Sequence, residues 1–387
     1  MEMLNFVERI KRLTFKKVLK KSKRFVKKNI IMFVALTAAV VTCFFVPPDK
    51  EYLSYFDTRT LACLFVTLAV VCALRNIKFF TILSRKLVLI TGNLRSLFVM
   101  LVCITFIGSM LIANDMALIT FLPLGYFALS VTRQEKYIAY LFILQNISAN
   151  LGGMLTPFGN PQNLYLYSFY NIPTEKFCSI MLMPFILAIA MLIVCCMFVK
   201  PHKLYIKDNF SQKLNTKRTV LYLVLFAISL LIVFRVIPVL FGLIFITAVL
   251  LIVDREAIAM VDYPLLLTFT FFFIFSGNLA RIDFISEMFS NLLSKDPLIV
   301  SILSCQFISN VPTAILLSQF TNDYTSLLLG VNIGSAGTLI SSLASLITFS
   351  EFNVLYPDKT KKYLVMFTAI NLVFLIVMTV CAKLFFV

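Results

Sequence analysis

The sequence predicts an all-α polytopic membrane protein, built as an inverted repeat with two re-entrant helical hairpins and two broken transmembrane helices. Three observations carry this expectation. Hydrophobic residues make up 60% and charged residues 14% of the 387-residue chain, whereas soluble domains are nearer one-half apolar. Apolar runs of membrane-crossing length recur with no long hydrophilic block between them, so one integral domain is expected, with no appended enzyme or regulatory module. Four of these runs, two in each half, are interrupted by short polar stretches rich in Asn, Ser, Gly or Pro.

Residues 1–29 are expected to be a basic, amphipathic cytoplasmic segment. Residues 1–28 hold eleven Lys and Arg against Glu2 and Glu8, a net +9, which suits anionic lipid at the inner membrane surface. No short apolar core with a small-residue cleavage site follows, so a secretory signal is not expected. Concentrated here and in loops, the formal charge of +17 marks membrane topology, and nucleic acid is not expected as a partner.

The first repeat is expected at 30–199. Runs at about 30–46 and 58–74 approach the roughly 20 residues a crossing needs. Arg75, Lys78, Arg85, Lys86 and Arg95 then arrive without an acid, which assigns 75–95 and the amino terminus to the cytoplasm. FFTILSRKLVLIT in this loop suits a surface helix. A hairpin at about 96–130 is interrupted at Asn114 and Asp115; its tip is expected inside the protein, because an Asp facing lipid costs several kcal/mol. A broken helix at about 137–170 contains QNISANLGGMLTPFGNPQNLYLYSFY. Unwound backbone of this kind survives in lipid only where protein or a wet cavity satisfies it. A span at 178–199 leads to a cytoplasmic linker at 200–218, which carries six Lys and Arg against Asp208.

The second repeat, 219–387, contains runs at 219–236, 238–253 and 263–279, an amphipathic RIDFISEMFSNLLSKD, a hairpin at about 297–322, a broken helix at about 326–347 and a last span at 363–385. Each half thus reads surface helix, hairpin, broken helix, span, and three crossings between the surface helices invert the second copy. NLGGMLT at 150–156 and NIGSAGT at 332–338 share Asn-x-Gly-x-x-x-Thr. The phenylalanines of TFTFFFIF at 268–275 are expected to face lipid.

Helix breaks expose N–H groups at helix starts, which attract anions, and C=O groups at helix ends, which coordinate hard cations. Asn114, Asn160, Asn163, Ser309, Asn310, Thr338, Ser341 and Ser342 add neutral amides and hydroxyls around them. Neither tip carries Lys or Arg. Asp115 has two readings, a cation or proton site and a helix cap. Nine scattered cysteines without CxxC and a single His202 leave little material for a metal site or a catalytic triad, and no enzyme is expected.

Taken together, ANDMALITFLP, GNPQN, SNVPT and GTLISSLASLI resemble the ion transporter superfamily of divalent anion:sodium symporters, citrate carriers, arsenite carriers and sodium/proton antiporters, over about residues 58–385. The resemblance implies a secondary active transporter in the cell membrane that moves a small anion, a di- or tricarboxylate or an inorganic oxyanion, by elevator-type alternating access. Sodium or protons would be the coupling ion, and no other cofactor is implied. Substrate contacts are expected at Asn114, Asn160, Pro161, Asn163, Ser309, Asn310, Thr338 and Ser341, and cation contacts at Asn114, Asp115, Gly159, Asn310 and Gly337. Sodium would sit at Asn114 with Gly159 and at Asn310 with Gly337. Symporters of that superfamily carry Ser-Asn-Thr at both tips, whereas the tips here read Ala113-Asn114-Asp115 and Ser309-Asn310-Val311. Both asparagines match, and three of the other four positions do not. The Asn-Asp pair is closer to the arsenite-carrier and antiporter branches, so sodium/proton antiport or arsenite-type export is the alternative. The lipid bilayer is the expected surrounding; homodimers are common in the family, and no interface stands out in this sequence.

Overall fold

The computed structural model describes Val26, residues 29–204 and residues 214–385. Most of the basic segment 1–29 and the middle of the linker 200–218 lie outside the described residues. Within them, regular structure is helical apart from one isolated bridge between Asn93 and Lys203. Eight helices are long and apolar enough to cross a membrane, and the protein is an all-α, multi-pass membrane protein.

Helix α1 (Ile30–Cys43) is followed by a 3-10 turn at Lys50–Tyr55. The Asp57 carboxylate caps α2 (Thr58–Asn76), accepting from the Thr60 N–H at 2.9 Å. The expected surface helix forms as α3 (Phe79–Leu89). Asn93 and Ser96 build a reciprocal capping box that opens α4 (Leu94–Ile112). The chain breaks at Ala113, resumes as α5 (Asn114–Val131), and continues through α6 (Ile138–Gly152), a 3-10 turn at Gly153–Leu155, α7 (Pro161–Phe169) and α8 (Thr174–Met197).

In the second half, α9 (Thr216–Val233), α10 (Val239–Val253), the short α11 (Arg255–Ala259), α12 (Tyr263–Ala280) and α13 (Asp283–Lys295) lead to α14 (Pro297–Ile308). After a break at Ser309 come α15 (Asn310–Leu317), α16 (Tyr324–Ile333), α17 (Leu343–Leu355) and α18 (Thr360–Phe385). Asp254, Asp262, Asp296 and Asp323 each cap the helix that follows, which is why acids sit at helix starts in so apolar a chain.

Two expected crossings come out short: α1 has 14 residues and α10 has 15. Pro47 and Pro48 follow the first; Pro238 and the Asp254 cap bound the second, so neither helix extends. The two tip pairs are also unequal. Arms α4 and α5 run 19 and 18 residues, whereas α14 and α15 run 12 and 8.

The chain forms two compact units. In one, α1 packs on α12, and the Asn278 amide donates to the Thr42 hydroxyl at 3.2 Å. Arg281 closes this unit with an ion pair to Asp49 at 2.6 Å, which holds the Asp49 carboxyl below its ordinary pKa. Phe269, Phe272 and Phe273 of α12 are buried, so the expectation that this aromatic run faces lipid is corrected: its Phe269–Phe273 stripe is packing material.

In the other unit α4, α5 and α6 pack on one another, α2 packs on α7, α9 and α10, and α15 packs on α7, α14 and α16. The two basic loops that the charge rule assigns to one side meet here. The Leu94 N–H donates to the His202 carbonyl at 2.8 Å and the Leu204 N–H to the Gly92 carbonyl at 3.1 Å.

Candidate functional site

Both helix pairs turn on the same backbone. Ala113 has φ 64 and ψ 153, and Ser309 has φ 72 and ψ 160, a region that costs non-glycine residues about 1–3 kcal/mol. An asparagine follows each. The Asn114 Oδ1 accepts from the Asp115 N–H at 2.9 Å, and the Asn310 Oδ1 accepts from the Val311 N–H at 2.9 Å. Each asparagine thereby satisfies one of the free N–H groups at its helix start. Asn114 and Asn310 are 4% and 2% exposed.

The two broken helices repeat a further bond. The Thr156 hydroxyl donates to the Met110 carbonyl at 3.1 Å, and the Thr338 hydroxyl to the Gln306 carbonyl at 3.1 Å. Met110 and Gln306 each lie four residues before the tip asparagine. Helix α7 restarts at an Asn160 N-cap with Pro161 in its first turn, where the missing N–H is harmless. Helix α17 restarts at a Ser342 N-cap in nearly the same extended conformation. Gly159 and Gly337 are fixed by close approach: a Cβ would overlap the Gly153 carbonyl at the first and the Gln306 side chain at the second.

Between these breaks lies a buried amide network that joins the two halves of the chain. The Asn150 Oδ1 accepts from the Asn114 amide at 3.3 Å and from the Ser342 hydroxyl at 2.7 Å. The Asn160 amide donates to the Asn150 carbonyl at 3.1 Å and to the Asn332 Oδ1 at 3.3 Å. The Asn332 amide donates to the Asn163 Oδ1 at 2.6 Å, and the Asn163 amide to the Met154 carbonyl at 3.2 Å. The second tip is tied in through the Asn310 N–H, which donates to the Ser341 carbonyl at 3.0 Å.

Of the residues expected from sequence, Asn114, Asn160, Asn163, Asn310 and Ser341 are therefore bonded into the two breaks, with Gly159, Pro161 and Ser309 in the adjoining backbone. Thr338 stands apart: it is exposed, and Gln306 takes both its N–H and its hydroxyl. Asp115 is half-buried in the first turn of α5. Ala113, and not Asp115, is the N-cap residue there, so the carboxylate lies where a helix start favours negative charge without being the cap itself.

Asn150 and Gln162 belong to the polar stretch at 145–170 that the sequence marks out, but no contact is expected of either, or of Asn332, from sequence. Asn150 and Asn332 had a signal, since each opens the Asn-x-Gly-x-x-x-Thr echo. All three are fully buried. The Asn150 Nδ2, the Asn160 Oδ1 and both polar atoms of Gln162 have no protein hydrogen-bond partner. A buried polar atom left so costs about 1–3 kcal/mol, and each calls for a partner that the protein itself does not supply. They offer amide N–H donors for an oxygen-rich solute and amide oxygens for a cation or a hydroxyl. Among the described residues no cluster of three His, Cys, Asp or Glu exists, so a cation held here would rely on amide, hydroxyl and carbonyl oxygens, with Asp115 the carboxylate nearest Asn114 in the chain.

Buried amides converging on paired helix breaks, inside a body of membrane-length helices, define a membrane transporter. Residues 18–324 match the citrate transporter family, and the chain belongs to that family. It is a transporter and not an enzyme. It is 33% identical over 360 residues to an uncharacterized transporter of Methanocaldococcus jannaschii, covering 92% of this chain and 98% of that one. It is 29% identical over 321 residues to the inner membrane protein YbiR of Escherichia coli, covering 80% of this chain and 84% of that one. A silicon efflux transporter of Oryza sativa subsp. japonica is 33% identical over 172 residues, covering 43% of this chain and 34% of that protein.

Proposed function

We propose that this protein is a secondary active transporter that carries a small anion, a di- or tricarboxylate or an inorganic oxyanion, across the cytoplasmic membrane. In this reading sodium or protons drive it, with the four tip and break helices moving against the remaining spans as an elevator. The observation that carries the reading is the amide network itself, which joins Asn114, Asn150, Asn160, Asn163, Asn332 and Ser342 across both halves. Four helices start at these breaks, at Asn114, Pro161, Asn310 and Leu343, and helix starts favour anions. The matching tips and matching threonine bonds support an inverted repeat.

No Lys or Arg belongs to the network, so accompanying cations would have to offset the anion's charge. Importing a dianion against 100 mV, negative inside, costs about 4.6 kcal/mol, and at least three co-transported cations make voltage favour uptake. Purified protein in liposomes, offered citrate, succinate, malate, sulfate and arsenite under separate sodium and proton gradients, tests this. Uptake is expected to follow one gradient and to change with membrane potential; no response to any gradient ends the proposal. Asn160→Ala and Asn163→Ala are each expected to lower transport at least tenfold while the protein still purifies as a folded species, and wild-type rates in both would move the site elsewhere.

The second reading is sodium/proton antiport or oxyanion export, favoured by Asp115 beside Asn114 and by the rice relative's efflux of silicon. Asp115→Asn tests this second reading. The export or antiport reading expects loss of pH-dependent transport; an unchanged pH profile leaves Asp115 as a charge that complements its helix start.

A further inference from the structure

A cleft of about 690 Å³ lies beside the first turns of α4, away from the amide network. Its lining changes character along the helix. Asn93, Arg95 and Ser96 line it at the helix start; Val99, Met100 and Cys103 line it further in, with Ile90 and Met197 at the sides. From Asn93 to Cys103 the helix rises about 15 Å, so the cleft runs from a polar, basic end to an apolar one over the depth of a head group and the upper part of an acyl chain. Ile90 and Phe198, 76% and 79% exposed, extend the apolar surface beside it.

Charge adds to the same pattern. Residues 75–96 and 197–204 include no Asp or Glu, and the second stretch brings exposed Lys200 and Lys203 to the basic end through the bridge between Lys203 and Asn93. The Arg95 Nε donates to the Val199 carbonyl at 2.9 Å, which anchors the guanidinium at the cleft and leaves its two NH2 groups without a hydrogen-bond partner among the described residues. The basic amino-terminal segment is a poor occupant, because like charges repel. A free inorganic anion would leave the apolar length of the cleft unfilled. Basic pockets between spans suit acidic lipid head groups.

We infer that this cleft binds one anionic phospholipid, its phosphate at Arg95 and Lys203 and an acyl chain along Val99, Met100 and Cys103. The site is independent of transport, and its readout is lipid binding. The chain has no tryptophan, so Met197→Trp supplies a single reporter at the side of the cleft. In vesicles, brominated phosphatidylglycerol is expected to quench that tryptophan at a several-fold lower mole fraction than brominated phosphatidylcholine. Arg95→Gln or Lys203→Gln is expected to raise the phosphatidylglycerol midpoint roughly fivefold, the equivalent of about 1 kcal/mol per cation. Lys203→Gln guards against misfolding, because Lys203 is exposed and its pairing with Asn93 is through the backbone, and Arg95→Lys should retain most of the preference. Equal quenching by the two lipids, or a preference that survives both glutamine variants, overturns the inference. Competition by millimolar inorganic phosphate overturns it as well, since the site would then be one for the anion alone.

Discussion

Ala113 and Ser309 hold positive φ with extended ψ at the two tips although neither is glycine. Glycine adopts that region without the Cβ penalty, at a cost of about 0.5–1 kcal/mol in unfolded-chain entropy. Ala113→Gly is therefore expected to raise stability by about 1 kcal/mol, and Ser309→Gly by less because it also removes the hydroxyl that donates to the Ser341 carbonyl at 3.4 Å, both measured as thermal unfolding of the purified protein in detergent. A fall in melting temperature for both would show that side-chain contacts at the tips outweigh the strain. The positions of the tips were legible, because Asn-Asp and Ser-Asn-Val-Pro interrupt apolar runs. Their backbone conformation was not, since neither Ala nor Ser announces a left-handed φ. Gln162 was equally opaque: it was one amide among many until its burial without a partner set it apart.

At the scale of elements, the turn between α9 and α10 grips the first broken helix at its break and in α7 beyond it. The Phe234 ring meets Phe158 edge to face with centroids 5.8 Å apart. Arg235 lies 4.5 Å over the Tyr167 ring and donates from Nη2 to the Tyr167 carbonyl at 2.7 Å. A charged hydrogen bond and a cation–π contact together are worth about 2–4 kcal/mol. If α7 moves against α9 and α10 during transport, this grip must release in each cycle. Arg235→Ala is then expected to change the turnover rate several-fold with little effect on apparent substrate affinity, as read from concentration-dependent uptake, because Arg235 touches none of the network amides. Unchanged turnover would mean that the turn and α7 move as one body. The existence and order of nearly all these helices could be read from apolar runs and punctuating acids. Contacts such as Phe234 with Phe158 could not, because one sequence carries no record of which turn meets which break.

For the whole molecule, the two halves are joined at their least exposed polar atoms. The Asn163–Asn332, Asn150–Ser342 and Asn146–Ser345 bonds all cross from the first half to the second. Sequence showed each half's polar breaks and the Asn-x-Gly-x-x-x-Thr echo, which is enough to expect a repeat. It did not show that Asn332 of one copy is the partner of Asn160 and Asn163 of the other, because the echo pairs Asn332 with Asn150 by position and the fold pairs it by contact. If the network is one cooperative unit, removing Asn332 leaves the Asn163 Oδ1 without its donor, removing Asn163 leaves the Asn332 amide with the Leu328 carbonyl alone as acceptor, and removing both leaves neither half-bond behind. Asn163→Ala and Asn332→Ala are each expected to destabilise by about 1–3 kcal/mol. The double variant is expected to lose less than the sum, with a coupling of at least about 0.5 kcal/mol. Thermal unfolding of the four proteins under one detergent condition reads that coupling directly. Strict additivity would mean that the two halves contribute separate sites rather than one, and each break would then need its own ligand.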